Sequence, residues 1–248
     1  MRVLVAIPVY NEEKYVDSVL ERVLQFAPDV LVIDDGSTDA TPCMLPKHRV
    51  EVIRHAENRG YGRSLGDAFR WADAFDFDWV ITMDCDEQHE PAAIPRFVEA
   101  IESNEWDIIS GSRYLENTGD GDSPPADRRS INKEITAELN TRLGLQLTDA
   151  FCGFKAHRTE ALRSLSLTEK GYAFPMQFWV QSVAAQLRIT EIPVRLIYND
   201  PTRSFGGPLN DAVQRMAHYR QVLHCELERC AERLPEAALT DVAAGCRG

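Results

Sequence analysis

The chain has 248 residues, 44% of them apolar, enough to bury one substantial α/β core with a small appended lobe but not two full domains. Its 39 acidic residues against 27 basic ones give a formal charge of −12, which argues against a polyanion held on a basic surface, so no nucleic-acid partner is expected. There is no apolar run of membrane-spanning length, and the six cysteines are scattered without C-x-x-C or zinc spacing; the chain reads as cytoplasmic, with reduced thiols.

Short β-branched runs alternate with helical patterns. Strands are predicted at Val3–Ile7, Val30–Ile33, Val50–Ile53, Trp79–Met83 and Asp107–Ser110, the rhythm of a parallel sheet flanked by helices. The first helix is the clearest, because Val16, Val19, Leu20, Val23 and Leu24 share one face; Asn11 is its expected N-cap and Pro28 closes it. Further helices are expected over Arg63–Phe75, Ile94–Ser103 and Ile131–Leu143, the last after a polar Gly/Pro-rich loop at Glu116–Asp127. Strands around Phe154–Ala156 and Ile189–Tyr198 flank a helix near Phe174–Gln186. A long helix over Leu209–Leu234 follows, its apolar side suited to the domain or a second subunit, and Pro235–Gly248 reads as a weakly ordered tail.

Ligands of open parallel sheets bind beyond the carboxyl ends of the strands, so those ends carry the functional reading. The first strand runs into Pro8-Val9-Tyr10-Asn11-Glu12-Glu13, where a dinucleotide fold needs G-x-G-x-x-G, and no P-loop occurs either. The second ends in Asp34-Asp35-Gly36-Ser37-Thr38-Asp39, where a carboxylate can accept hydrogen bonds from a base or ribose. The strand Trp79–Met83 ends in Asp84-Cys85-Asp86-Glu87-Gln88-His89. Residues at i and i+2 of an extended chain point the same way, so Asp84 and Asp86 can offer hard oxygen ligands to one Mg²⁺ or Mn²⁺, with Gln88 as a third. His89 is read as a loop residue, since hard cations prefer oxygen.

Together with Asn58-Arg59-Gly60-Tyr61-Gly62, these segments resemble, in order and spacing, the family 2 glycosyltransferases of GT-A fold. Gly111-Ser112-Arg113-Tyr114, Arg128-Arg129, Asp149-Ala150-Phe151-Cys152-Gly153-Phe154 and Gly171-Tyr172-Ala173-Phe174 are similar to the dolichol-phosphate and polyprenyl-phosphate mannosyltransferase subgroup, and the resemblance spans about residues 2–207. It implies an α/β GT-A domain over 1–208, with Pro8, Tyr10, Glu12, Ile33 and Asp35 lining the base and ribose pocket of a nucleotide-diphosphate sugar. Asp84, Cys85 and Asp86 would meet the diphosphate, Asp84, Asp86 and Gln88 would hold the cation, and Arg113, Arg129 and Arg203 would clamp phosphates.

The implied reaction is inverting hexose transfer from GDP-mannose or UDP-glucose, without a protein nucleophile. No general base is evident, which favours a polyprenyl-phosphate acceptor at the inner face of the membrane, because a phosphate monoester is largely deprotonated near neutrality. The sequence departs from the subgroup at Ala173 and Gln177, where carboxylates are usual, and at 206–209, where Ser-Lys is missing. These losses leave open a weak or inactive relative serving as a sugar-nucleotide-binding or scaffold protein. A nucleotidyltransferase would need a Gly-rich basic loop after the first strand, and Pro8–Glu13 is not one.

Overall fold

The computed structural model describes residues 1–116, 124–198 and 207–242. In chain order they form β1 (Val3–Val9), α1 (Val16–Val23), β2 (Val30–Asp34), α2 (Thr41–Met44), β3 (Glu51–Arg54), α3 (Tyr61–Ala74), β4 (Trp79–Thr82), α4 (Ile94–Glu102), β5 (Ile108–Ser112), α5 (Ala126–Leu143), β6 (Lys155–Arg158), α6 (Thr159–Leu162), α7 (Phe174–Ala184), β7 (Ile189–Pro193) and α8 (Ala212–Arg229). The strands make one sheet in the order β3-β2-β1-β4-β6-β5-β7, parallel except that β6 runs against both β4 and β5. It is the mostly parallel α/β sheet expected.

Alternation along β1 divides the core. Leu4 and Ala6 face α3, α5, α7 and α8, whereas Val5 and Ile7 face α1 and α4, and each layer is a cluster of buried apolar side chains. The strand order reverses its direction of growth at β1, which has β2 on one side and β4 on the other. Such a reversal opens a crevice beyond the carboxyl ends of the strands.

The ends of several elements differ from expectation. Asn11 does not cap α1, whose first residue follows Tyr15; Asn11 takes a left-handed φ of 56° and its Oδ1 accepts from the Thr38 and Asp39 backbone N–H groups. The short polar side chain of asparagine tolerates that conformation and bonds the neighbouring loop instead. Helix α5 starts at Ala126 rather than Ile131, immediately after Pro124-Pro125, so the end of the expected 116–127 loop is helical. Residues 117–123 lie outside the described residues.

The predicted 209–234 helix is broken. A 3-10 turn at Gly207–Asn210 precedes α8, which Asp211 caps by accepting from the Gln214 N–H at 2.8 Å, and two further 3-10 turns follow at Ala231–Arg233 and Glu236–Leu239. The start of the tail is thus tied down: Ala238 is fully buried and Arg142 donates to the carbonyls of Ala238 and Thr240. Cys43, Cys85, Cys152 and Cys230 are free thiols, but Cys225 is disulfide-bonded, against the reading of all six as reduced. Among the described residues no helix is long and apolar enough to cross a membrane.

Candidate active site

The loops after β1 and β2 are stitched together by the hydroxyls and carboxylates that follow β2. The Asn11 N–H donates to Ser37 Oγ at 2.9 Å, the Glu12 N–H to Thr41 Oγ1 at 2.8 Å, and the Glu13 N–H to Asp39 Oδ2 at 3.0 Å. Asp34 turns back to accept the Ser37 N–H at 2.8 Å. The small polar residues of this segment therefore fix the two loops to each other behind the cavity residues Tyr10, Glu12 and Asp35.

Asp35, buried, stands at the mouth of this wall. Its carboxylate accepts the backbone N–H groups of Arg59 and Gly60, both at 2.8 Å, and lies 2.6 Å from His55 Nδ1. The other ring nitrogen of His55 is 3.0 Å from Asp67, which in turn pairs with Arg63 and Arg70. Gly60 has a φ of +99°, and a Cβ there would meet the Lys170 carbonyl at 2.3 Å. Glycine at this position is thus a condition for the amide to reach Asp35.

Beyond β4, Asp84 and Asp86 emerge as the i and i+2 pattern requires. Tyr61 donates its hydroxyl to Asp84 Oδ1 at 3.0 Å, and Asp86 Oδ1 accepts the Gln88 N–H at 3.0 Å. Burial and the neighbouring Asp84 charge push the Tyr61 hydroxyl well above its ordinary pKa, keeping it a donor. Glu87, which follows the pair, has a φ of +58° and is held from α1 by Ser18 Oγ at 2.5 Å and Arg22 Nη2 at 3.0 Å. His89 is a loop support, as expected: its Nδ1 accepts the Asp84 backbone N–H at 2.9 Å.

A residue the sequence reading passed over shapes this pair. A Cβ on Gly153 would lie 2.6 and 2.9 Å from the two carboxylate oxygens of Asp84. The glycine leaves the cradle in which that carboxylate sits. Its place in the segment Asp149–Phe154 was visible, but only the fold brings β4 and the turn before β6 together.

These groups share one cavity of about 350 Å³. Pro8, Tyr10, Glu12, Asp35, Asp84, Cys85, Asp86, Gln88 and Arg113 all line it. Ile33 does not: it is fully buried in the core on the α3 side, one residue short of the strand end. Arg128, rather than Arg129, is in the wall; successive helical residues point about 100° apart, and Arg129 instead lies over the Tyr114 ring at 3.5 Å. Arg203 lies outside the described residues.

Arg113 is not a free cation. Its Nε and Nη2 grip Asp149 at 2.6 and 2.9 Å, and Asn132 Nδ2 adds a third bond to the same carboxylate at 2.8 Å. Burial opposes ionisation of Asp149, but Arg113 and Asn132 outweigh it and hold the carboxyl down at about 2. The guanidinium is thereby fixed in orientation at the cavity wall.

The two positions where carboxylates were missed turn away from the cavity. Ala173 is fully buried, and the buried Gln177 amide accepts the N–H groups of Thr168 and Glu169 at 2.6 and 2.8 Å while donating to Glu226 of α8 at 2.8 Å. Gln181 donates to the other Glu226 oxygen at 2.6 Å. The carboxyl group that meets both amides, Glu226, is buried on α8.

The model of glycosyl transferase family 2 matches residues 4–166 of the chain, the stretch that carries the ends of β1, β2, β4 and β5. The chain belongs to that family. It is 30% identical over 231 residues to an undecaprenyl-phosphate mannosyltransferase of Micrococcus luteus, covering 88% of this chain and 94% of that one. It is 26% identical over 231 residues to a polyprenol monophosphomannose synthase of Mycolicibacterium smegmatis, covering 88% and 86%. Among solved structures, glucosyl-3-phosphoglycerate synthase from Mycobacterium tuberculosis, in complex with Mn²⁺, uridine diphosphate and glucosyl-3-phosphoglycerate, superposes with a TM-score of 0.68 at 22% identity, covering 95% of this chain and 81% of that one. The fold is GT-A, and this family 2 protein is a glycosyltransferase.

Proposed function

We propose that the protein transfers a hexose, with inversion, from a nucleotide-diphosphate sugar to a polyprenyl phosphate. The observation that carries this reading is the order of groups along the sheet edge. Asp35 follows β2, Pro8 and Val9 end β1 and Tyr10 follows it, Asp84 and Asp86 follow β4, and Arg113 follows β5, all in one cavity. Neighbouring strands are about 4.8 Å apart, so Asp35 and the Asp84 pair are separated by roughly 10 Å, and the pair and Arg113 by a similar span. Those are the dimensions of a nucleoside, its diphosphate and an acceptor phosphate laid end to end.

The donor set fits a shared Mg²⁺ or Mn²⁺. No cluster of three or more His, Cys, Asp or Glu suited to a metal occurs among the described residues, and two carboxylates with an amide oxygen leave most of a hard cation's coordination to diphosphate oxygens and water. Asp84, Asp86 and Gln88 would hold it, and it would neutralise charge on the departing nucleotide diphosphate. Asp35 would orient the nucleoside. Arg113 and Arg128 would meet the acceptor phosphate, whose oxygen attacks C1 as the bond from C1 to the diphosphate oxygen breaks and its electron pair leaves with the nucleotide. A phosphate monoester, with a second pKa of about 6, attacks without a protein base.

The names of the relatives support a polyprenyl phosphate as acceptor and mannose as the sugar, with GDP-mannose and UDP-glucose the first donors to try. Calorimetric titration of GDP, UDP and their sugar conjugates, with and without Mn²⁺, tests the donor half. One nucleotide binding tightly only with metal, and losing that in Asp86→Ala, supports the assignment. Absence of binding by every nucleotide in every condition refutes it.

A further inference from the structure

Lys155 opens β6 and is only 7% exposed. Its ammonium donates to the Cys152 carbonyl and lies 5.4 Å from the Trp179 ring centroid, and among the described residues it has no ion-pair partner. A neutral donor would serve that carbonyl equally well. The hydrogen bond therefore does not account for the charge, and burying an ammonium is costly.

The register of the sheet shows what the charge lies beneath. Lys155 pairs with Thr82 across the antiparallel β4–β6 ladder. Asp84 comes two residues after Thr82 on the same face, so Lys155 and Asp84 are diagonal neighbours, a separation of roughly 7–8 Å that a long side chain can bridge. A small cavity of about 30 Å³ is lined by Lys155, Thr82 and His157 and, on the side of Asp84, by Tyr61 and Gly153. Phe174 and Phe178 complete its wall, so the field of the ammonium crosses protein and not bulk solvent on its way to the metal-binding pair. His157 feels that field: burial, and after it the Lys155 charge, pushes its imidazole down to about 3. Burial lowers the pKa of Lys155 itself, while the Asp149 and Asp84 charges act against that shift.

A fixed positive charge at this place repels a bare divalent cation, whereas the negative charges of a bound diphosphate cancel most of the repulsion. We infer that Lys155 couples the cation to the nucleotide: it disfavours occupation of Asp84 and Asp86 by a cation alone, and the penalty disappears when a nucleoside diphosphate binds with it. The inference rests on the donor-site reading above and adds to it a residue outside the main cavity.

The test measures Mn²⁺ binding to wild type, Lys155→Gln, Lys155→Met and Lys155→Arg. Mn²⁺ alone is followed by loss of the free-ion electron paramagnetic resonance signal, and its complex with whichever of GDP and UDP the wild type binds is followed by calorimetry. Lys155→Gln keeps a donor for the Cys152 carbonyl and removes the charge. It is expected to tighten Mn²⁺ alone at least tenfold and to change binding of the Mn²⁺–nucleotide complex less than threefold. Should it fail to fold, Lys155→Met carries the test with the same expected gain for Mn²⁺ alone. Lys155→Arg, which keeps the charge, should bind Mn²⁺ alone as wild type does. Weaker binding of Mn²⁺ alone in the neutral variants would mean that Lys155 only holds the turn at Cys152, and unchanged binding that its charge does not reach the pair. Equal tightening of Mn²⁺ and of its nucleotide complex would mean that it does not couple them, and tightening in Lys155→Arg that the charge is not the cause. Each of these overturns the inference. A wild type that binds neither nucleotide with Mn²⁺ refutes the underlying donor-site reading instead.

Discussion

The pair Arg113–Asp149 gives a quantitative test of how the cavity wall is built. Asp149 is fully buried and takes Arg113 Nε and Nη2 at 2.6 and 2.9 Å and Asn132 at 2.8 Å. Asp149→Asn keeps the shape and one acceptor oxygen but leaves a mostly buried guanidinium without its counter-charge. Breaking one side of a buried pair costs about 3–5 kcal/mol. For a chain of this length each kcal/mol moves the melting temperature by about 2–4 °C, so a fall of roughly 6–20 °C is expected. Arg113→Met removes the cation instead, and the double variant has neither charge, so the cycle should show a coupling of about 2 kcal/mol or more. Because the Asp149 carboxyl sits at about 2, the penalty should be constant between pH 5 and 8. Calorimetric melting of the four proteins decides it. A loss below about 1 kcal/mol in Asp149→Asn, or strict additivity in the double variant, would mean that the pair is solvated and does not fix Arg113.

Gly153→Ala places a methyl 2.6 Å from Asp84 Oδ2 and should weaken Mn²⁺-supported nucleotide binding at least tenfold in calorimetry, while metal-independent binding is little changed. His157 is buried, and burial, with the Lys155 charge beside it, pushes its imidazole down to about 3 from 6.5. The unfolded chain therefore binds more protons between those values, and stability falls as pH drops through that window, by about 2 kcal/mol at pH 5 relative to neutrality. His157→Leu should flatten that slope in urea titrations at pH 5 and 7.5. Gln177→Glu sets a second buried carboxyl group against Glu226 and removes an amide donor to it. It should lower the melting temperature without raising transfer.

Much of this was legible in the residues. Alternation and helical spacing located the strands and the main helices to within a few residues, because each element buries one face and must repeat with its own period. Direction was not legible: Phe154–Ala156 reads as a strand, but only the short passage from Cys152 back across the sheet makes β6 antiparallel to β4. The ends of β2 and β4 were readable as candidate sites because carboxylates follow buried apolar runs there, and the fold brings them to one cavity. Arg128 and Arg129 could not be told apart, since their facing depends on α5 beginning five residues earlier than its apolar pattern. Asn11, Gly153 and Arg215 act through partners 27, 69 and 88 positions away, at Thr38, Asp84 and Asp127. No local pattern encodes such contacts.

The losses at Ala173 and Gln177 bear on whether the chain is an active enzyme or an inert relative. Had either position faced the cavity, replacing a carboxylate would have removed a charge from the reacting region. Instead Gln177 bridges the 168–169 backbone to Glu226, and the loop it holds continues to Lys170, whose carbonyl accepts the Gly62 N–H at 2.7 Å, and to the cavity residues Gly171 and Tyr172. Gln177 thus keeps the loop anchored to α8. A buried Glu with two amide donors is a satisfied group, while two carboxylates facing each other there would share a proton or repel. The same helix that supplies Glu226 to the core supplies Arg215 to the cavity, so changes on α7 and α8 are coupled. Ala173 and Gln177 thus belong to the scaffold and lie away from the cavity.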